Sequence, residues 1–209
     1  MRLYYSPGAC SLSPHIIARE VGVPVEISRV TFADGTRTTE QGENFFEVNL
    51  KGGYVPALRL DSDEVLTEGV AIAQYIAMQA PEKKLLPEVG SIEYFRVLEW
   101  MTYISSELHK GFGPLFNPSI GEEEKSRVVE KLKTRFEYIN GALEGKEYVS
   151  DAFSIADVYA YTIIRWSPRA SINVSDYPNI HAFMQRMETH EGVKQALSEE
   201  GLEPMASAA

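Results

Sequence analysis

Strand signals in this chain stop near residue 67, and past Pro81-Glu82-Lys83-Lys84 every apolar pattern recurs at helical spacing. That asymmetry limits the fold to a mixed α/β domain followed by an all-α one. The expected bounds are 1–80 for the first domain, 81–90 for a linker that carries Pro81 and Pro87, and 91–209 for the second. With 209 residues in all, each part is long enough to bury a core.

In the first part, Leu3-Tyr4-Tyr5 is a short apolar run stopped by Ser6-Pro7-Gly8, and a helix begins a few residues later and ends near Gly22. Ser13 is its expected cap, with Pro14 in the first turn, where a missing N–H is harmless. Residues 25–30 alternate as a half-buried strand, and the β-helix-β order makes the first two strands parallel. Residues 31–44 are mostly polar and read as a loop with a short helix toward Phe45-Phe46. Ala57-Leu58-Arg59-Leu60 and Val65-Leu66 read as a hairpin with Pro56 at its start, and Thr67-Glu68-Gly69 opens a helix through Ala80. In the second part helices are expected over 91–112, over 122–143, from Ser154 with Asp157 completing a capping box, and from Pro178. The stripe of the first of these is Ile92, Phe95, Leu98, Met101, Ile104, Leu108 and Phe112. The tail 204–209 reads as unstructured.

A formal net charge of -10 argues against a broad nucleic-acid or acidic-membrane surface, which would need clustered cations. It leaves room for a small anionic ligand held by local donors. Cys10 is the only cysteine, so no internal disulfide can form, and the N-terminus has neither the basic start nor the apolar core of a signal peptide. No apolar run approaches the roughly 20 residues that span a bilayer. The reading is a cytoplasmic protein, without membrane or nucleic-acid partners and, lacking zinc-type Cys/His spacing, without a metal.

Cys10 and Ser11 fall in the turn before the first helix, where free N–H groups and the positive dipole end would stabilise a thiolate or a bound anion. The alternative is a small buried hydrophobe. Glu68 and Gly69 at a helix start allow either plain dipole stabilisation or a zwitterion site, the carboxylate taking an ammonium and the N–H a carboxylate. Thr102, Ser106 and His109, spaced i, i+4, i+7, share one face of an α-helix, which is either its wet side or a row of short donors. His15 reads as a packing residue, and one of Tyr4 and Tyr5 should face the core. Trp166, with Arg165 and Arg169 close by, is either a buried aromatic or part of an apolar pocket.

Four stretches, YYSPGACSLSPHI, VPAL before LTEGVAIAQYIA, LEWMTYISSELHKGFGPLF and FSIADVYAYTIIRW, resemble the bacterial beta-class glutathione transferases, in order and over residues 1–201. The resemblance implies a thioredoxin-like N-terminal domain, an all-helical C-terminal domain, a homodimer and a role in detoxification. Glutathione is then the co-substrate, and its sulfur attacks a small hydrophobic electrophile. Position by position it implies Cys10, Ser11 and His109 at the sulfur, and Val55 with a cis Pro56 pairing with the cysteinyl backbone. Glu68 and Gly69 fall at the γ-glutamyl end, Arg37 near the glycyl end, Ser106 and His109 on the tripeptide, and Phe112, Phe116 and Trp166 in the electrophile pocket. Thr102 stands where the family usually has an asparagine. The loop Lys51-Gly52-Gly53-Tyr54 is one residue longer than the common pattern, and Leu50 stands where proline is frequent. Two other activities fit the same residues: dehalogenation, or thiol-disulfide and peroxide chemistry through Cys10. A non-catalytic binding or regulatory protein on this fold is the third reading.

Overall fold

The computed structural model describes residues 1–205. The last four residues of the tail expected to be unstructured lie outside that range, while Met205 donates its N–H to the Glu188 carboxylate at 2.6 Å. The chain divides into two compact units, one of Met1–Leu86 with His190–Glu203 and one of Pro87–Thr189 with Pro204 and Met205.

The first unit is a five-stranded sheet in the order β3-β2-β1-β4-β5. Its strands are β1 (Arg2–Tyr5), β2 (Glu26–Ala33), β3 (Thr36–Thr39), β4 (Ala57–Arg59) and β5 (Val65–Thr67), and its helices begin with α1 (Leu12–Val21), α2 (Phe45–Val48) and α3 (Gly69–Met78). β1 and β2 are parallel, as the β-helix-β order requires, and the other neighbours are antiparallel. Both Tyr4 and Tyr5 are buried, not one of the two, because β1 lies in mid-sheet with both faces covered. Tyr4 packs on Phe45 of α2 at 5.3 Å, and Tyr5 meets His15 of α1 at 5.9 Å on the opposite face.

Three further features depart from expectation. β3 occupies residues expected to be loop: Asp34 (φ 48) and Gly35 (φ 77) make a two-residue turn with positive φ at both positions, and Ala33 pairs with Thr36 across it. The Asp-Gly pair was the available signal, masked because Thr36–Thr39 is an edge strand without apolar alternation. The cap of α1 is Ser11 rather than Ser13, which places Pro14 at the third helical position, still among the N–H groups no helix uses. Finally α9 (Glu191–Glu200) packs on α1, so residues 190–203 join the first unit instead of the helical part in which they were expected.

The second unit contains α4 (Ile92–Tyr103), a π-helical segment (Ile104–His109), α5 (Lys110–Phe112), α6 (Glu122–Ala142), α7 (Ile155–Ile164) and α8 (Pro178–Met187). Every residue of α7 is buried, and it packs against α4 and α8. Its capping box of Ser154 and Asp157 forms as read. The stripe of α4 holds from Met101 onward, while Ile92 and Phe95 are more than half exposed.

Candidate active site

The turn Ser6–Ser11 is closed by two short-range bonds, Ala9 N–H to Ser6 O and Leu12 N–H to Ala9 O, both 3.0 Å. The Ser11 hydroxyl is fully buried, accepts from Ser6 N–H at 3.1 Å and returns its proton to Ser6 O, so it fixes the turn rather than capping the helix. Gly8, at φ 69, donates its N–H to Glu200 of α9 at 2.9 Å. This Glu200 bond carries no signal in the sequence, since 192 positions separate the pair.

Cys10 donates from Sγ to the Val55 carbonyl at 3.4 Å. Burial pushes its thiol up to about 11; the N–H groups of Cys10 and Ser11 pull the other way, and the Glu68 carboxylate adds to the rise. The thiolate expected from the helix dipole is therefore absent near neutral pH, because desolvation outweighs the dipole and its N–H groups. Val55 precedes a cis peptide to Pro56, and a Cβ on Gly69 would stand 3.6 Å from the Pro56 ring. Glu68, at φ 70, holds a left-handed conformation that costs a side-chain residue about 1–3 kcal/mol. Cys10, Val55, Pro56, Glu68 and Gly69 are thus brought together around the start of α3.

Arg37 is engaged elsewhere. Its guanidinium lies 5.1, 5.0 and 4.7 Å from the ring centres of Phe32, Phe46 and Tyr54 and donates to the Gly52 carbonyl. The same long loop is pinned by Asn49, whose amide donates to Tyr54 O at 2.7 Å and accepts from Lys51 N–H at 3.0 Å. Gly53 (φ 62) is required there, since a Cβ would come within 3.0 Å of Phe46 and 3.1 Å of Arg37. Asn49 was missed from sequence, where it looks like any loop asparagine.

In the second unit Thr102 and Ser106 are exposed, and the Thr102 hydroxyl bonds back to Leu98 O in its own helix at 2.8 Å. His109 is half-buried, so the three do not form one equivalent row. The π segment over 104–109 winds more residues per turn than an α-helix and moves His109 off the expected face. Its Nδ1 lies 2.6 Å from the Tyr159 hydroxyl, a partner 50 residues away. Burial, with Lys110 nearby, lowers its pKa to about 4, so it is neutral near pH 7. The predicted aromatic residues do gather: Trp166 meets His109 at 5.0 Å, Phe112 at 5.9 Å and Phe116 at 5.1 Å.

The first unit is thioredoxin-like, with a cis-proline before its second hairpin, and an all-helical unit follows it in the chain: together they define a two-domain class. Residues 8–79 match the family described as glutathione S-transferase, N-terminal domain, and residues 103–191 match glutathione S-transferase, C-terminal domain. The chain belongs to the glutathione S-transferase family. It is 44% identical over 203 residues to the glutathione S-transferase GstA of Escherichia coli O157:H7, covering 97% of this chain and 100% of that one. Among solved structures it is similar to a sphingomonad glutathione S-transferase complexed with glutathione (41% identity, TM-score 0.92, 97% and 100% covered). A bacterial beta-class glutathione S-transferase from Sphingomonas chungbukensis matches at 40% identity and TM-score 0.92 over the same shares. The expected resemblance to the beta class is borne out.

Proposed function

We propose that this protein conjugates the sulfur of reduced glutathione to small hydrophobic electrophiles, as a cytoplasmic detoxifying enzyme acting as a homodimer. The observation that carries this reading is the grouping of Cys10, Val55, cis-Pro56, Glu68 and Gly69 in one unit. Glutathione is an anionic tripeptide with one ammonium. It needs a carboxylate for that ammonium, which Glu68 supplies, N–H groups for its carboxylates, and an extended backbone edge, which Val55 supplies. The Val55 carbonyl now taken by Cys10 is the acceptor for the cysteinyl N–H, so binding turns the Cys10 S–H toward the incoming sulfur.

In the reaction the glutathione thiol loses its proton to solvent, its sulfur bonds to the electrophilic carbon, and the leaving group departs with the bonding pair. Cys10 is then a protonated donor to the sulfur and Ser11 the residue that holds its turn, in keeping with a thiol raised to about 11. His109 is neutral, and in the tautomer whose Nδ1 accepts from the Tyr159 hydroxyl its Nε2–H is the donor. Ser106 follows by resemblance. Arg37, held by its loop, acts on the glycyl end through its remaining N–H groups or by shaping residues 50–54. Phe116 and Trp166 form the apolar wall for the electrophile, while Phe112, fully buried, backs Trp166 instead of lining the pocket itself. Exposed Ile92 and Phe95 on α4 support the homodimer, and the lack, among the described residues, of any helix long and apolar enough to cross a membrane accords with the cytoplasm.

Calorimetric titration with reduced glutathione, on the wild type and on Glu68→Ala, tests the reading. Saturable binding is expected in the wild type and at least a tenfold loss in the variant, the value of one charge-assisted contact. A wild type that takes up no heat and conjugates no 1-chloro-2,4-dinitrobenzene would remove it.

A further inference from the structure

Two arginines follow α7, and their surroundings differ. Arg165 is engaged, with Nη1 3.0 Å from the Tyr161 hydroxyl and 3.7 Å from the Glu188 carboxylate. Arg169 is exposed, and its guanidinium carbon sits 4.5 Å from the centre of the Phe116 ring. Among the described residues no carboxylate, carbonyl or hydroxyl meets that guanidinium. Phe116 is itself 46% exposed and continues edge-on into Trp166, which leads on to Phe112 and His109. The second unit thus presents an aromatic wall with a neutral imidazole at one end and a cation with unused donors at the other. The five N–H groups of a guanidinium lie in its own plane, so contact with a ring through its carbon leaves donors at the edge for a planar oxyanion.

We propose that Arg169 makes this wall selective for aromatic electrophiles that carry a carboxylate or sulfonate, the ring lying along Phe116 and Trp166 and the anion on the guanidinium. The proposal rests on the conjugating function for what becomes of the ligand. The anion is a spectator: sulfur bonds to the ring carbon that bears the halide, the halide leaves with the pair, and the charge near Arg169 is the same before and after. Arg169 is therefore a specificity-determining residue, and its effect falls on KM more than on kcat. Because the guanidinium is exposed, the preference is modest, about threefold to tenfold at low salt, and shrinks as ionic strength rises.

The test reads a ratio. Quenching of tryptophan fluorescence by 3,5-dinitrobenzoate is compared with quenching by neutral 1,3-dinitrobenzene, and conjugation of 4-chloro-3,5-dinitrobenzoate with that of 1-chloro-2,4-dinitrobenzene. Wild type, Arg169→Gln and Arg169→Lys are each measured at low and high salt. The expected result is an anion-to-neutral ratio that falls about threefold to tenfold in Arg169→Gln, recovers in part in Arg169→Lys, and declines with salt in the wild type. A ratio equal in wild type and Arg169→Gln overturns the proposal, and does so without touching the conjugating function if the neutral chloride is still turned over. An Arg169-dependent binding ratio with neither chloride conjugated would sustain the anion site and remove the function instead.

Discussion

Cys10 stands at the N-terminus of α1, where a helix dipole lowers a thiol, yet its own burial and the Glu68 carboxylate raise it to about 11. At pH 8 that leaves about one thiolate in a thousand. Cys10 is accordingly expected to react with iodoacetamide or a disulfide reagent at least a hundredfold more slowly than free cysteine. Cys10→Ser should keep conjugation within about tenfold, since a hydroxyl can donate as the thiol does. Rapid labelling of Cys10, or loss of all conjugation in the serine variant, would return thiol-exchange chemistry to the front. Position in the turn was legible from residues 3–14 alone. The sign of the pKa shift was not, because it depends on burial by the folded chain and on the Glu68 carboxylate.

At the scale of elements, the best-written signal is the cap of α7. Asp157 accepts from Val149 N–H at 2.7 Å and from both the N–H and the hydroxyl of Ser154 at 2.9 Å. Burial pushes its carboxyl up to about 7, against the pull of these donors. Asp157→Ala leaves buried donors unmet and removes half the capping box, a loss of roughly 3 kcal/mol. Thermal unfolding should show Tm lower by roughly 6–12 °C; an unchanged Tm would mean that the box is ornamental. The π segment before His109 had no such signal. Its residues have ordinary helical patterning, and the change in winding is visible only in the folded backbone.

For the molecule as a whole, the chain's last helix returns to its first. His15 is fully buried, as a packing residue would be, and it also bridges the two carboxylates, with Nδ1 2.9 Å from Glu200 and Nε2 2.6 Å from Glu199. Burial works to raise the Glu199 carboxyl, but bonds from Arg19, Gln195 and His15 together bring it down from 4.5 to about 2. A depressed folded pKa stabilises above the unfolded value, so this contribution is present above about pH 4.5 and is lost as the pH falls toward 2. Glu199 is exposed, so solvent screening discounts this contribution, and Glu199→Gln should lower stability by about 1 kcal/mol at pH 7. In denaturant titrations the gap between variant and wild type should close progressively below pH 4.5; a gap that persists to pH 2 would assign the loss to packing.

The sequence by itself determined the order of elements, the parallel first pair and the cap of α7. Each of these rests on neighbours within a few positions, where periodicity, turn chemistry and capping act. Only the tertiary structure decided the protonation of Cys10 and His109, the engagement of Arg37 by its loop, the freedom of Arg169, and the return of α9 to α1. Those depend on burial and on partners as far as 192 positions away, and desolvation and long-range contacts leave no trace in local pattern.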